Sequence, residues 1–145
     1  MIERYLMLLS RDEILNADDL ATEDVPVPEW APKTAKNPDE YAVRLRMLMG
    51  VDRDKFEAST VETKGGKTKQ NLANFRARLV ALCIINEAGE LMFNAADIPA
   101  LGKKSSRALG RVFDACQKLN GFTEADVEEL TEGFEDAPGG ASTSD

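Results

Sequence analysis

The sequence predicts an α+β fold that is mainly α, with a small N-terminal antiparallel β-unit, a three-helix-type C-terminal part and a disordered acidic tail. Two segments before residue 50 alternate between apolar and polar residues, which predicts the β-unit. After residue 50, apolar residues recur at helical spacing and predict the helices. With 145 residues, the chain has the length of one domain. We expect an N-terminal extension at residues 1–9, one globular domain at 10–135 that divides into 10–50 and 51–135, and the tail at 136–145.

Charge is divided unevenly along the chain. The formal net charge is −8, and residues 121–145 hold eight acidic residues without a Lys or Arg. Such an acidic end repels nucleic acid and anionic membranes. No segment approaches the roughly 18 consecutive apolar residues of a membrane span, and residues 1–9 lack the long apolar region of a signal peptide. We therefore expect a cytoplasmic protein without a membrane partner.

The first predicted element is a short helix at about residues 11–17. Ser10 and Glu13 stand in the S-x-x-E spacing of a capping box. In this arrangement the Ser hydroxyl accepts a hydrogen bond from the Glu amide, and the Glu carboxylate accepts one from the Ser amide. The helix should therefore begin directly after Ser10.

Two strands are expected next. Residues 23–30 alternate, but Pro26 and Pro28 cannot donate to a ladder, which restricts this segment to the edge of a sheet. Residues 41–49 alternate cleanly across a loop at 31–40, and they read as a half-buried strand. Because an isolated pair of strands is marginal in water, this β-unit must pack on the helices or pair with another copy.

Helices are predicted over most of the chain after residue 50. A short helix at 52–61 precedes a mobile loop at 62–70. The central helix should run from about 69 to 85, and its last turns are apolar nearly all round, so several neighbours or another chain must cover them. A further helix, capped by Ser105 or Ser106, should end at Asn120-Gly121, and a last helix should follow it.

We identify no catalytic, cofactor-binding or metal-binding residue, and we expect no cofactor. The chain has no histidine, which removes the commonest general base and most zinc sites. Its two cysteines fall in apolar helical contexts and are expected as buried free thiols. The segment Gly65-Gly66-Lys67-Thr68 lacks the first glycine of a phosphate-binding loop, because Val61 stands there. The protein is therefore not expected to be an enzyme.

A basic face at residues 64–78 is the strongest electrostatic feature. It contains no acidic residue and carries five cations: Lys64, Lys67, Lys69, Arg76 and Arg78. Such a patch is one way to bind nucleic acid. Since the chain is acidic overall, a solvated surface or a complement to an acidic tail is the preferred interpretation.

The order of several short motifs resembles a known family over residues 10 to about 132. The motifs, in order, are Ser10-Arg11-Asp12-Glu13-Ile14-Leu15, Asp18-Asp19-Leu20, Val27-Pro28-Glu29-Trp30, Val43-Arg44-Leu45-Arg46, Asp52-Arg53-Asp54-Lys55-Phe56-Glu57, Arg76-Ala77-Arg78-Leu79-Val80-Ala81-Leu82-Cys83 and Leu119-Asn120-Gly121-Phe122-Thr123. They resemble the tail assembly chaperones of long-tailed bacteriophages and prophages, of the type found with Gram-positive hosts. The extension at 1–9 and the loop at 32–40, which is longer than the tight connection expected between the strands, depart from that pattern.

The resemblance implies a non-enzymatic viral assembly factor. Such a chaperone binds the tape measure protein, keeps this long helical chain soluble and helps tail tube subunits to polymerise around it. It works in the host cell cytoplasm and is absent from the mature virion. The implied partners are the tape measure protein and the tail tube protein, and a homo-oligomer is also possible.

A chaperone for an amphipathic helix needs exposed apolar surface. We expect that surface, or contact with another copy, at five residues: Val80, Ile84, Val127, Leu130 and Phe134. Two alternatives stay open. One is a small nucleic-acid-binding or regulatory protein that uses the basic face, although nucleic acid is the less expected partner. The other is a structural head–tail component of the same virus.

Overall fold

A computed structural model describes residues 6–70, 72–122 and 124–129 of the chain. In chain order, its elements are α1 (Arg11–Asn16), β1 (Thr22–Pro26), β2 (Ala42–Arg46), α2 (Gly50–Ser59), β3 (Val61–Lys64), β4 (Lys67–Gln70), α3 (Phe75–Cys83), β5 (Ile84–Ile85), α4 (Ile98–Leu101), α5 (Ser106–Leu119) and α6 (Glu124–Glu128). Short 3₁₀ turns lie at Pro28–Trp30, Pro38–Glu40 and Ala95–Asp97. The predicted α+β class, mainly helical with a small antiparallel sheet, is confirmed. The predicted tail at 136–145 lies outside the described residues.

The N-terminal β-unit contains the predicted antiparallel pair, but both strands are shorter than the predicted 23–30 and 41–49. Strand β1 ends at Pro26 because the chain turns into the 3₁₀ segment Pro28–Trp30, and β2 ends at Arg46. In this pair Val25 lies opposite Val43, and Asp24 lies opposite Arg44. Strand β1 is at the edge of a three-stranded sheet with the order β1-β2-β5. Its last residue is Pro26, and a proline at an edge strand blocks further ladder pairing.

The central helix is shorter at both ends than predicted. It begins at Phe75 and ends at Cys83, because Ile84 and Ile85 pair with β2 as the third strand of the sheet. An apolar segment can bury its side chains as a helix or as a strand. The free edge of β2 supplies backbone hydrogen-bonding partners, which favour the strand at Ile84 and Ile85.

The predicted mobile loop at 62–70 is instead a β-hairpin formed by β3 and β4. Gly65 and Gly66, which connect the strands, have φ of 59° and 80°. Two consecutive positive φ values are what a tight type I′ turn requires, and only glycine adopts them without strain. The two glycines therefore close a hairpin and do not mark a flexible loop.

One hydrophobic core joins the sheet to α2, α3, α4 and α5. Val80 and Ile84 are 0% exposed within it, so the prediction that they form a partner-binding surface is wrong. The reason is that β2, the pairing of β5 and the apolar side of α5 cover the end of α3 from several directions. Aromatic rings also pack in this core at the start of α3. The ring centre of Phe75 lies 5.2 Å from that of Phe56 and 5.9 Å from that of Phe113.

Asn120, at the end of α5, ties three elements together. Its Oδ1 accepts a hydrogen bond from the Leu48 amide at 2.6 Å. Its Nδ2 donates to the Cys116 carbonyl at 2.9 Å and to Cys83 Sγ at 3.7 Å. The next residue, Gly121, has φ of 72°, as predicted for the left-handed residue that ends a helix.

Candidate partner-binding surfaces

The N-terminal arm, which we define as residues 6–20, is exposed along its whole length. Leu6 and Leu8 are 91% and 95% exposed, and Ile14 and Leu15 are 57% and 65% exposed. The arm carries seven large apolar residues of this kind: Leu6, Met7, Leu8, Leu9, Ile14, Leu15 and Leu20. Single exposed apolar residues are normal, but a concentration of them in one segment is typical of a binding element.

Local hydrogen bonds explain why the arm contains a helix without packing on the body. The Glu13 amide donates to Ser10 Oγ at 3.1 Å, and the Ser10 amide donates to Glu13 Oε1 at 2.8 Å, which completes the predicted capping box. Asp12 and Glu13 also lie in the first turn, where the helix dipole favours negative charge. A helix of six residues nevertheless gains little stability alone, so a partner surface would stabilise it further.

The second surface is a cavity of about 500 Å³, which we call the Trp30 cavity. Its walls are Glu29, Trp30, Ala31, Phe93, Asp97, Ala100, Leu101 and Lys104. Its volume lies in the range of small-ligand and side-chain pockets, and its apolar wall with a few polar groups at the rim is typical of them. An apolar side chain from a partner could therefore enter it.

Two anchors hold the walls of the Trp30 cavity in place. Arg111 of α5 donates to both carboxylate oxygens of Glu29 from its two terminal guanidinium nitrogens, at 2.7 and 2.6 Å, and so fixes the 3₁₀ turn that carries Trp30. On the other side, Asn94 and Asp97 form a reciprocal capping box that fixes the turn between Phe93 and α4. The Arg111 guanidinium lowers the pKa of Glu29 from 4.5 to about 2, so this carboxylate stays charged under ordinary conditions.

The third surface is a smaller cavity of about 270 Å³ between the N-terminal ends of α3 and α5, which we call the basic groove. It is lined by Leu72, Asn74, Phe75, Arg76, Ala77, Gly102, Lys104, Ser106 and Leu109, without an acidic residue. Asn74 has φ of 53°, and its side chain lies so close to Gly102 that a Cβ there would be 2.2 Å from Asn74 Oδ1. Glycine at position 102 therefore lets α4 approach the start of α3.

Of the five cations of the predicted basic face, the structure shows three as exposed. Lys67, Lys69 and Arg76 are exposed, whereas the side chain of Lys64 is not described. Arg78 points inward and donates to the carbonyl and the hydroxyl of Ser59, and burial lowers its pKa. Its inclusion in an exposed face is therefore wrong. The reason is that the helical turn of α3 rotates Arg76 and Arg78 onto different sides.

Sequence reasoning missed Lys104, which the fold brings beside Arg76 at the basic groove. The pair is separated by 28 positions, so no local pattern indicates it. Of the predicted partner-binding residues, Leu130 and Phe134 lie outside the described residues, as does the side chain of Val127. The arm and the Trp30 cavity are therefore the candidate partner-binding surfaces of the described residues.

Within the described residues, no group of three or more His, Cys, Asp or Glu residues could hold a metal ion. The helices of this part of the chain include none that is long and apolar enough to cross a membrane. Cys83 and Cys116 are buried free thiols, as predicted. Hydrogen bonding to Cys83 and burial raise the pKa of Cys116, which keeps it as an unreactive thiol.

Comparison with known proteins adds no relative to these observations. No protein-family model matches the chain, and neither a curated protein nor a solved structure resembles it significantly.

Proposed function

We propose that this protein is a non-enzymatic tail assembly chaperone of a long-tailed bacteriophage, which binds the tape measure protein and promotes assembly of the tail tube. The proposal starts from the resemblance of the ordered sequence motifs to that family. The observation that carries it is that Trp30, from the Val27-Pro28-Glu29-Trp30 motif, lines an apolar cavity together with Phe93 and Leu101. A motif residue thus belongs to a surface that suits binding.

A tape measure protein is a long helical chain with exposed apolar residues, and the Trp30 cavity fits one such side chain. Helix-in-groove recognition depends on apolar anchors at helical spacing, with polar contacts around them. The cavity supplies the apolar wall, and Asp97 and Lys104 supply charges of both signs at its rim. Binding of this kind shields the client from aggregation and requires no chemistry.

Tryptophan fluorescence provides a direct test, since Trp30 is the only tryptophan in the chain. Overlapping tape measure segments without tryptophan are titrated into the protein. A segment that enters the Trp30 cavity should shift the emission of Trp30, and co-expression should keep that segment soluble. If no segment binds and none is kept soluble, the proposed function is refuted.

A matched pair of variants locates the binding site. Ala100 lines the Trp30 cavity and is exposed, so Ala100→Arg should obstruct the cavity without disturbing the core. Ala125, exposed on α6, serves as the control in the variant Ala125→Arg. We expect Ala100→Arg to weaken binding roughly tenfold or more, as loss of a central anchor does, and Ala125→Arg to have no effect.

The location of the protein distinguishes a chaperone from a structural head–tail component. A chaperone should be present in the cytoplasm of infected cells and absent from purified particles, as mass spectrometry can establish. Stoichiometric amounts in the particle would favour the structural component.

Nucleic acid binding is a second candidate, favoured by the exposed Arg76 and Lys104 at a groove without acidic residues. It predicts salt-dependent retardation of DNA, because cations that neutralise phosphates release counterions. The variant Arg76→Glu/Lys104→Glu should then abolish the retardation. If the unmodified protein leaves DNA unretarded at low salt, this candidate is excluded.

A further inference from the structure

Four surface cavities of the described chain differ in the charge of their walls. In the Trp30 cavity, in a cavity between β2 and β5, and in a cavity between β1 and α5, acidic residues outnumber basic ones by one. The basic groove has Arg76 and Lys104 and no acidic residue. Lys103 and Arg107, which are next in sequence to the lining residues Lys104 and Ser106, are also exposed. Electrostatics therefore favours an acidic occupant for this one cavity.

The basic groove also offers apolar contact. Leu72 is 38% exposed, and Phe75 and Leu109 complete the apolar part of the wall. The guanidinium of Arg76 lies 5.5 Å from the centre of the Phe113 ring, a cation–π distance that holds this cation over the core next to the groove. A fitting occupant is thus both acidic and apolar.

The N-terminal arm has this combination. It holds four acidic residues and one arginine, together with its seven exposed apolar residues. Ile14 and Leu15 are adjacent on α1, and Asp18 and Asp19 follow after two further residues. The arm can therefore bring apolar side chains and carboxylates to one site at the same time.

The arm of the same copy is poorly placed to fill its own groove. It joins the body at Ala21, whose carbonyl accepts from the Met47 amide, next to Leu48 and hence to Asn120 at the C-terminal end of α5. The groove lies at the other end of α5, a helix of 14 residues that is about 20 Å long. The linker between α1 and Ala21, residues 17–21, spans at most roughly 18 Å.

We propose that the N-terminal arm of one copy docks in the basic groove of a second copy, so that two copies exchange arms in a symmetric dimer. Ile14 and Leu15 contact the apolar wall, and Asp18 and Asp19 pair with Arg76 and Lys104. A two-fold arrangement makes each contact twice, which doubles the buried apolar area without any further surface. This self-association does not depend on the proposed client.

Sedimentation equilibrium of the purified full chain tests the dimer. We expect a reversible shift from 15.9 kDa to twice that mass across the micromolar range, which weakens as salt is raised. Reversing the arm charges with Asp18→Lys/Asp19→Lys should raise the dimer dissociation constant by roughly tenfold or more. Reversing the groove charges with Arg76→Glu/Lys104→Glu should do the same.

Mixing the two variants provides the decisive measurement. The reversed arm of one then faces the reversed groove of the other, and the native arm faces the native groove, so a heterodimer with two matched contacts should form. The control Lys33→Glu/Lys36→Glu changes two exposed lysines of the loop before β2 and should dimerise normally. Circular dichroism confirms that every variant is folded.

Four results would each overturn the proposal. They are a monomer at all concentrations, a dimer that survives both charge reversals, a mixture that does not dimerise, and a monomer whose arm is protected from protease by its own groove. Each concerns the protein alone, so binding of tape measure segments can succeed or fail independently.

Discussion

Replacing Asn120 by alanine should destabilise the protein by about 2–4 kcal/mol. The Asn120 side chain connects the end of β2 to the ends of α3 and α5 through Leu48, Cys83 and Cys116. Alanine removes all three contacts and adds none. The variant therefore measures how much the sheet depends on this one junction.

The magnitude follows from what each partner loses. The Leu48 amide, which is part-buried, loses its acceptor, and an unsatisfied buried donor costs about 1–3 kcal/mol. The Cys116 carbonyl keeps a bond from the Asn120 backbone amide at 3.1 Å, so its loss is limited to about 1 kcal/mol. The contact of 3.7 Å to Cys83 Sγ is weak and adds little. Together these terms give a loss of about 2–4 kcal/mol in the free energy of unfolding.

Urea unfolding followed by circular dichroism measures this loss, and amide hydrogen exchange at Leu48 reports on the junction directly. We expect faster exchange at Leu48 in Asn120→Ala. The control is Asn37→Ala, since Asn37 is exposed and makes no capping bond with its side chain. An Asn120→Ala variant within about 0.5 kcal/mol of the unmodified protein, with normal exchange at Leu48, would refute the reasoning.

Three further predictions concern the core, an ion pair and a turn. Ile84→Ala should lower the free energy of unfolding by about 2–5 kcal/mol because it opens a cavity in the core. The control Val51→Ala, at a side chain that is 55% exposed on α2, should change this free energy by less than about 0.5 kcal/mol. Equal effects of the two variants would contradict the assigned burial. Glu29, whose pKa is lowered by its arginine partner, contributes stability that is complete above pH 4.5 and is lost as the pH falls toward about 2. The stability difference between the unmodified protein and Glu29→Gln, measured by urea unfolding, should therefore vanish across that interval, and a difference that does not depend on pH would disprove the assignment. Gly66→Ala should destabilise the protein by about 1–2 kcal/mol because its φ is positive. The control Gly110→Ala, in the helix α5, should stabilise it by about 0.5–1 kcal/mol. Thermal unfolding measures both changes, and effects of the same sign would contradict the assignment of a type I′ turn at Gly65-Gly66.

The candidate surfaces could be predicted only in part. The sequence indicates Trp30 as an apolar residue after two prolines, but its cavity also needs Phe93 and Leu101, which the fold brings from 63 and 71 positions away. Lys104 joins Arg76 for the same reason. Residues this far apart in sequence are brought together by tertiary packing, so neither composition nor periodicity predicts that they share a surface.

The features that local interactions control could be predicted from the amino-acid sequence. The capping box at Ser10 and Glu13 forms between residues three positions apart, and the proline in β1 restricts that strand to an edge whatever surrounds it. The fold class follows from the same local patterns, because the apolar period differs between strands and helices.

Long-range packing selects the position of an apolar or charged residue when several environments suit that residue. Ile84 suits a helix or a strand equally well, and the free edge of β2 selected the strand. Arg78 and Arg76 carry the same charge two positions apart, yet the rotation of α3 turns one toward Ser59 and the other toward solvent. In each case the outcome depends on a distant partner, and that partner is defined only once the chain has folded.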